Sequence, residues 1–436
     1  MNRKTIGLCL VAIVISVNAR LHAAGELVIT SDKPAAIYDI GQPIHWKVKW
    51  QPTTQPTSIN FVVKKNDLTK IDEGKLILTD GVGEVQARLN EPGWMLLKVT
   101  AKTAEGRTII ASGGALANPE KIQPASPRPD DFDEFWNARL EELAAVPPDP
   151  NLESVPTTKP NVDYWKITMN NIRGTHIEGQ IARPSKGEKF PALLILQWAG
   201  VYPLDKSWVV DKAADGWLAL DINAHDLPID QPRDFYRQQA TGPLKDYDAI
   251  GNDDRNTSYF LRMYLSAYRG AEYLTHRDDW NGKTFVVMGT SQGGMQTLML
   301  AGLHPNKITA VTADVPAGSD MLGPDAGRMP GWPDWYWRTT GKDPDKVHEA
   351  SRYFDVINFA SHIKCPVLVG MGALDETSTP TSVFAALNQI QSPKEILLMP
   401  HAPHQEANRT HQIYYDRSAA WRAALVKDEP PPIDQK

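Results

Sequence analysis

A serine at the centre of a Gly-x-Ser-x-Gly sequence is the residue of this chain best placed to do chemistry. Ser291 follows the apolar stretch 284–288 and precedes the helix-like stretch 295–301, with Gly289 and Gly293 two residues to either side. A strand that turns sharply into a helix needs small residues at these two positions, and it presents the serine at the edge of the sheet. The pattern predicts a nucleophile elbow for acyl transfer rather than a structural turn.

A serine hydroxyl is a weak nucleophile until a neutral imidazole takes its proton and a carboxylate fixes the imidazole tautomer. Asp375 follows the strand-like stretch 367–370, and His404 follows the strand-like stretch that ends at Met399. Both residues therefore lie beyond the C-terminal end of a predicted strand, in the chain order serine, acid, histidine. We predict a Ser291, Asp375 and His404 triad, with Glu376 and His401 as the alternatives on the same two loops.

An oxyanion formed at this serine needs two hydrogen-bond donors. The backbone N–H of Gln292 is the first candidate, because it comes directly after the nucleophile at the positive end of a predicted helix. The second donor is expected from the loop 197–202, where Gly200 allows the chain to approach the substrate closely. We predict that Val201 supplies it.

The elements that must position these residues alternate between strand and helix. Strand-like stretches occur at 192–196, 217–222, 284–288, 308–313, 367–370 and 394–399, and an amphipathic helix is predicted over 131–143. Such alternation predicts a mostly parallel sheet with helices on both faces. Together with the elbow, it predicts an α/β-hydrolase domain over residues 131–426.

A different pattern precedes this domain. Residues 25–116 contain short β-rich runs separated by turn residues and show no helical period, which predicts a β-sandwich of immunoglobulin type without a cysteine pair. We interpret this domain as a spacer, with carbohydrate contact as the alternative. A proline-rich linker at 117–130 and a disordered tail at 427–436 complete the predicted organisation.

The first residues have the basic, apolar and small-residue zones of a secretory signal. We predict a signal peptide over residues 1–24 and a secreted or periplasmic protein; an uncleaved anchor is the alternative, but the apolar run is shorter than the ~20 residues that a membrane-spanning helix needs. The chain carries a net charge of −6, and removal of Arg3, Lys4 and Arg20 takes it to −9. This charge gives no support to a nucleic-acid partner.

Cysteine chemistry is not expected to contribute. Cys9 lies in the predicted signal, so Cys365 is the one cysteine of the mature chain, and we interpret it as a small core residue rather than a reactive thiol. The two cysteines offer no zinc pattern. Neither a metal nor a cofactor is predicted.

Several segments together resemble the acetyl xylan esterase and cephalosporin C deacetylase family of carbohydrate esterases, over about 129–425. They include Phe132-Asp133-Glu134-Phe135-Trp136, the Ser-Gln-Gly-Gly elbow, Ala313-Asp314-Val315-Pro316 and Leu374-Asp375-Glu376-Thr377. The resemblance implies an α/β-hydrolase that removes acetyl groups from carbohydrate without a cofactor.

The chain departs from the family's pattern at two places. Asn223-Ala224-His225-Asp226 stands where the family carries Arg-Gly-Gln, and the terminal His-Glu is His404-Gln405 here, with Glu406 one residue late. His225 is a candidate substrate contact, with a hydrogen-bonded loop histidine as the alternative. His411 is interpreted as a helix surface residue.

Aromatic residues crowd the segment 331–338, between the elbow and the acid, where hydrolases often carry a lid. Trp335 and Trp337 are candidate sugar contacts, because exposed aromatic faces suit sugar rings. Packing of the lid onto its own domain is the alternative.

We therefore predict a secreted serine ester hydrolase that deacetylates xylan or a related plant polysaccharide. One alternative is a serine peptidase of the prolyl-oligopeptidase kind, which shares the fold and the triad order but carries a propeller or an anchor for the peptide amine that is not visible here. Another is a carbohydrate-binding protein without activity, which has no reason to retain all three triad residues.

Overall fold

The computed structural model describes residues 27–51 and 56–434. The predicted signal peptide, residues 1–24, lies outside the described residues. Two parts follow along the chain, a domain made of strands up to Ala117 and a larger α/β domain from Phe132 onward.

The N-terminal domain is a β-sandwich of two sheets. Its strands alternate as a sandwich requires: Ile44, Trp46 and Val48 of one strand are buried, while Lys47 and Lys49 are exposed. One sheet has the strand order β1-β3-β6 and the other the order β2-β8-β7-β4-β5. The strands are β1 (Leu27–Ser31), β2 (Ile37–Tyr38), β3 (Pro43–Trp50), β4 (Ser58–Lys65), β5 (Thr69–Lys75), β6 (Val82–Arg88), β7 (Gly93–Lys102) and β8 (Thr108–Ala117).

The second domain is built on a nine-stranded sheet of order β17-β16-β15-β14-β12-β13-β11-β10-β9. The six strands from β17 to β13 in this order pair in parallel and the last three antiparallel. All six predicted strands belong to the parallel part, which confirms the α/β fold. The strands are β9 (Asn151–Ser154), β10 (Val162–Asn170), β11 (His176–Pro184), β12 (Phe190–Leu196), β13 (Leu218–Ile222), β14 (Trp280–Thr290), β15 (Ala310–Asp314), β16 (Val367–Gly372) and β17 (Lys394–Met399).

Helices cover both faces of this sheet. The central parallel strands are buried along their whole length and mostly apolar, because neither face meets water. The helix predicted over 131–143 is present, and it buries Phe132, Phe135 and Trp136 against the domain. The helices are α1 (Phe132–Ala144), α2 (Ser207–Ala214), α3 (Arg233–Thr241), α4 (Tyr259–Thr275), α5 (Gln292–Leu303), α6 (Pro344–Ser351), α7 (Ile357–Ala360), α8 (Pro380–Leu387) and α9 (Gln412–Leu425).

The linker and the tail are both held against the α/β domain. In the linker, the Ala125 N–H donates to Asp320 at 2.8 Å, and the Arg128 guanidinium donates to the Asn358 carbonyl at 2.9 Å. The tail forms neither helix nor strand, but Ile433 packs against one of the apolar clusters of the α/β domain. This contact involves one residue of the tail, and the disorder of residues 427–436 stays a prediction.

The sandwich also packs directly on the α/β domain. Residues of β7 alternate between two cores: Met95 and Leu97 face the sandwich interior, whereas Trp94 and Leu96 belong to the core of the α/β domain. The Trp94 indole N–H donates to the carbonyl oxygen of Ala373 at 2.9 Å. Strand β7 of the sandwich thus contacts the loop that follows β16 in the α/β domain.

Within the described residues, every helix falls short of the length and apolar character that a membrane span requires. No group of three or more histidine, cysteine or acidic side chains among them could hold a metal ion. Cys365 is buried and unpaired, and burial raises the pKa of its thiol to about 12.

Candidate active site

The turn between β14 and α5 holds Ser291 in a strained conformation. Its φ of 55° lies in the left-handed region that L residues avoid. A Cβ on Gly293 would lie 2.0 Å from the Leu196 carbonyl oxygen, and one on Gly289 would lie 2.3 Å from the Gly293 backbone. Only glycine allows this close approach, which is why the elbow needs glycine at both positions.

Ser291, His404 and Asp375 form a continuous hydrogen-bonded chain. The Ser291 Oγ lies 2.9 Å from His404 Nε2, and His404 Nδ1 lies 2.8 Å from Asp375 Oδ2. Because a carboxylate only accepts, Nδ1 carries the proton and Nε2 is left free to accept from the serine hydroxyl. This arrangement can take the Ser291 proton and stabilise the resulting imidazolium.

The loop after β16 fixes the carboxylate. Asp375 is fully buried, and its Oδ1 accepts the backbone N–H groups of Thr377 at 2.8 Å and Ser378 at 2.7 Å. The alternatives are not used: Glu376 pairs with Lys98 of the sandwich, and His401 is exposed without a hydrogen-bond partner among the residues described. Asp375 and His404 are thus the residues that the structure joins to Ser291.

A second histidine braces the loop that carries His404. Both ring nitrogens of His411 face acceptors, with Nδ1 3.0 Å from Asp314 Oδ2 and Nε2 2.9 Å from the carbonyl oxygen of Pro403. Burial alone would lower the pKa of His411, but the bond to Asp314 and its negative charge raise it above the usual value. The interpretation of His411 as a surface residue is wrong, since the ring is buried at the start of α9.

The oxyanion donors lie where α5 begins and where β12 ends. Gln292 is the first residue of α5, so its N–H has no partner within the helix. The cleft at Ser291, of about 340 Å³, is lined by Trp198 and Ala199, whereas Val201 lines a neighbouring cleft. The chain turns away at Gly200, which has a φ of 131°. The structure therefore favours the Ala199 N–H over Val201 as the second donor.

A tyrosine that the sequence analysis missed connects the two donor segments. The Tyr247 hydroxyl donates to Gln292 Oε1 at 2.5 Å and accepts from the Gly200 N–H at 3.2 Å. No local motif marks it, because it comes from a short helical turn more than 40 residues before the elbow. It ties the start of α5 to the loop after β12.

His225 supports the same loop and does not meet the substrate. It is 1% exposed, its Nε2 donates to the Gly200 carbonyl at 3.0 Å, and its Nδ1 accepts from the Tyr259 hydroxyl at 2.7 Å. Burial lowers the pKa of His225 to about 4, which agrees with a neutral ring. The proposed substrate contact is wrong, and the alternative of a hydrogen-bonded loop histidine is correct.

The two predicted aromatic contacts differ in position. Trp335 is fully buried, and its indole N–H donates to the Asp248 carbonyl at 2.6 Å, so it offers no face to a sugar and that prediction is wrong. Trp337 is 52% exposed but does not line the cleft at Ser291. The aromatic residues that do line it are Trp198, Trp332 and Tyr415.

Comparison with known proteins gives one consistent family. A family model for acetyl xylan esterase (AXE1) matches residues 115–424. The acetyl esterase Axe7A of Xylanibacter ruminicola is 29% identical over 370 residues, which cover 83% of this chain and 82% of that protein.

Two solved structures are similar over about two thirds of this chain. Acetyl xylan esterase 1 from Thermoanaerobacterium sp. JW/SL YS485 is 25% identical with a TM-score of 0.58, covering 68% of this chain and 96% of its own. The acetyl xylan esterase from Paenibacillus sp. R4 is 21% identical with a TM-score of 0.59 and the same coverage, and this likeness shows the fold.

Proposed function

Since the chain belongs to the acetyl xylan esterase family and is a carboxylic ester hydrolase, we propose that it removes acetyl groups from xylan or a related plant polysaccharide or its oligosaccharides. The observation that carries the proposal is the unbroken contact from Ser291 through His404 to the buried Asp375, at the edge of an open cleft. The chemistry needs no cofactor.

The proposed reaction runs through an acyl-enzyme. The Ser291 Oγ attacks the acetyl carbonyl carbon while its proton passes to His404 Nε2, and the oxyanion is held by the N–H groups of Gln292 and Ala199. The bond to the sugar oxygen then breaks, and His404 returns the proton to that oxygen. In the second half of the reaction, water attacks the acyl carbon while His404 takes its proton. The bond from that carbon to Ser291 Oγ then breaks, His404 returns the proton to Oγ, and acetate leaves.

We also propose that the protein acts outside the cytoplasm, in the periplasm or the medium. The support is the basic, apolar and small-residue pattern of residues 1–24. N-terminal sequencing of protein recovered from the expressing cells should find a start near Ala24 or Gly25. A mature protein that begins at Met1 would contradict export through a cleaved signal.

The first test is acid release from acetylated xylan, 4-nitrophenyl acetate and a feruloylated or methyl-esterified sugar. Wild type should release acetate, and Ser291→Ala should lower kcat at least ~1000-fold. Ser361→Ala is the matched control, because Ser361 is exposed and its hydroxyl has no hydrogen-bond partner in the described part of the chain. Release that survives in Ser291→Ala, or activity on none of these esters, would refute the proposal.

A further inference from the structure

A second cleft, of about 520 Å³, lies beside the cleft that holds Ser291. Trp198 lines both clefts, so the two share a wall. Tyr202, Trp208 of α2 and Arg233 of α3 also line the second cleft. Trp198 is therefore in contact with both the second cleft and the cleft at Ser291.

The shared wall is an aromatic surface held in place. The Trp198 ring stacks on Tyr202 with centroids 5.2 Å apart and packs edge-on against Trp208 at 5.1 Å. The Tyr202 hydroxyl donates back to the Trp198 carbonyl at 2.8 Å. Even so, Trp198 remains 42% exposed. A fixed and partly open ring binds a partner at little cost in conformational entropy.

Polar groups surround this aromatic surface. Arg233 and Arg237 lie one turn apart on the same side of α3, and both are exposed. Arg237 is paired with Asp234 at 3.1 Å, whereas the Arg233 guanidinium has neither an ion pair nor a hydrogen bond within the described residues. The Asp205 carboxylate adds an acceptor at the edge of the cleft.

An aromatic face ringed by donors and an acceptor fits the chemistry of a sugar. The negative face of an aromatic ring attracts the C–H groups on one side of a pyranose. The hydroxyl groups around the pyranose can then accept from a guanidinium and donate to a carboxylate. A purely apolar ligand would offer no hydrogen-bond partner to the guanidinium or the carboxylate.

We propose that the second cleft is a subsite for a sugar unit next to the one that carries the acetyl group, with Trp198 as the stacking platform and Arg233 as a donor to its hydroxyls. This inference rests on the proposed function and adds to it a binding site for the neighbouring sugar unit. Trp337, the other largely exposed tryptophan considered above, lines neither cleft. It therefore serves as a matched control.

The kinetic test compares acetylated xylotetraose, acetylated xylose and 4-nitrophenyl acetate. Wild type should prefer the tetrasaccharide ester over the monosaccharide ester by about tenfold in kcat/KM, since each good subsite contact is worth about that much. Arg233→Ala and Trp198→Ala should reduce this preference, mainly through a higher KM for the tetrasaccharide ester. Trp337→Ala and Arg88→Ala, an exposed arginine of the sandwich, should retain it.

A binding test separates the subsite from the reaction. Calorimetry with Ser291→Ala and unmodified xylotetraose should show binding that weakens about tenfold when Trp198→Ala or Arg233→Ala is added. If no ester is hydrolysed but this binding is found, the proposed function falls and the subsite stands. Equal kcat/KM for the two sugar esters, together with no binding or with binding that neither substitution weakens, would overturn the subsite.

Discussion

The Tyr247 hydroxyl is a single group on which two catalytic segments depend. It accepts from the Gly200 N–H and donates to the Gln292 side chain, so it fixes the spacing between the two proposed oxyanion donors, the N–H groups of Gln292 and Ala199. Tyr247→Phe keeps the ring and removes both bonds. We expect kcat for 4-nitrophenyl acetate to fall about tenfold, less than the loss of a direct donor, with KM within about twofold of wild type.

Tyr264→Phe is the matched control for this substitution. Its hydroxyl is also buried and donates to the Phe354 carbonyl at 2.8 Å, away from the cleft. Both variants should lose about 1 kcal/mol of unfolding free energy. If Tyr247→Phe behaves like Tyr264→Phe in kcat as well as in stability, Tyr247 has no positioning role.

His225 should make the protein sensitive to acid. The Gly200 carbonyl can only accept, so Nε2 carries the proton, and Arg262 already donates to the Tyr259 hydroxyl, so the proton of that hydroxyl points to Nδ1. The folded pKa of about 4 lies below the unfolded value of about 6.5. The unfolded state therefore binds an extra proton between these values, and stability is lost as the pH falls through this window.

Denaturant unfolding of wild type and His225→Gln at pH 7 and pH 4.5 measures this effect. The loss of unfolding free energy between the two pH values should be smaller in His225→Gln by on the order of 2 kcal/mol. His401→Gln, at an exposed histidine, should show the same pH dependence as wild type. Equal losses in wild type and His225→Gln would contradict a neutral, buried His225.

Sequence reasoning at this scale found the residues that motifs mark and missed those that only tertiary structure unites. Ser291, Asp375 and His404 each follow a strand in an order that the fold requires, so their meeting could be predicted. His411 and Trp335 have local patterns that do not reveal their burial. The partners that hold them, Asp314 and Asp248, lie 97 and 87 residues away along the chain.

At the scale of elements, the elbow is defined by how closely α5 approaches β12. Gly293 is in contact with the end of β12, since a Cβ there would lie 2.0 Å from the Leu196 carbonyl. Gly293→Ala should push the start of α5 away from the loop that carries Ala199. We expect kcat to fall at least ~100-fold, because both oxyanion donors lose their relative positions.

Gly270→Ala on α4 is the matched helical glycine. A Cβ there would meet the Leu194 side chain at 3.5 Å, an ordinary contact. Alanine is the better helix former, so this variant should gain about 0.5 to 1 kcal/mol of unfolding free energy with kcat unchanged. Calorimetry measures the unfolding free energy of Gly293→Ala and Gly270→Ala, and steady-state kinetics measures their kcat. An active Gly293→Ala would show that the elbow tolerates a wider separation.

The sequence pattern did not predict the strands at one edge of the sheet. The parallel strands were predictable because they are mostly apolar. Strands β10 and β11 were not predicted, although together they add nine paired positions to the sheet. In these two strands apolar residues alternate with polar ones such as Lys166 and Glu178. This alternation indicates a strand less strongly than a continuous apolar run does.

At the scale of the whole molecule, the sandwich is part of the support of the active site. The run Trp94-Met95-Leu96-Leu97 is apolar on both faces, which in retrospect indicates a strand covered on both sides. The outer face of β7 and its neighbour β8 meets the loop that holds Asp375. Trp94 of β7 donates to the Ala373 carbonyl, and a Cβ on Gly114 of β8 would lie 2.1 Å from the same oxygen. Lys98 pairs with Glu376, next to Asp375. The interpretation of the domain as a mere spacer does not account for these contacts.

Trp94→Phe tests whether the sandwich positions Asp375. The substitution leaves the Ala373 carbonyl without its indole donor, so the loop that holds Asp375 should loosen, and kcat should fall about tenfold with KM within about twofold. Trp46→Phe is the control, because Trp46 lies in the sandwich core and its indole nitrogen has no hydrogen-bond partner in the described structure. Both variants shorten a buried tryptophan of the sandwich strands, but only Trp94 reaches the loop that holds Asp375. Assays at 25 °C, with melting temperatures recorded in parallel, should show reduced kcat in Trp94→Phe alone. Equal kcat in the two variants would mean that the sandwich contributes to stability but does not position Asp375.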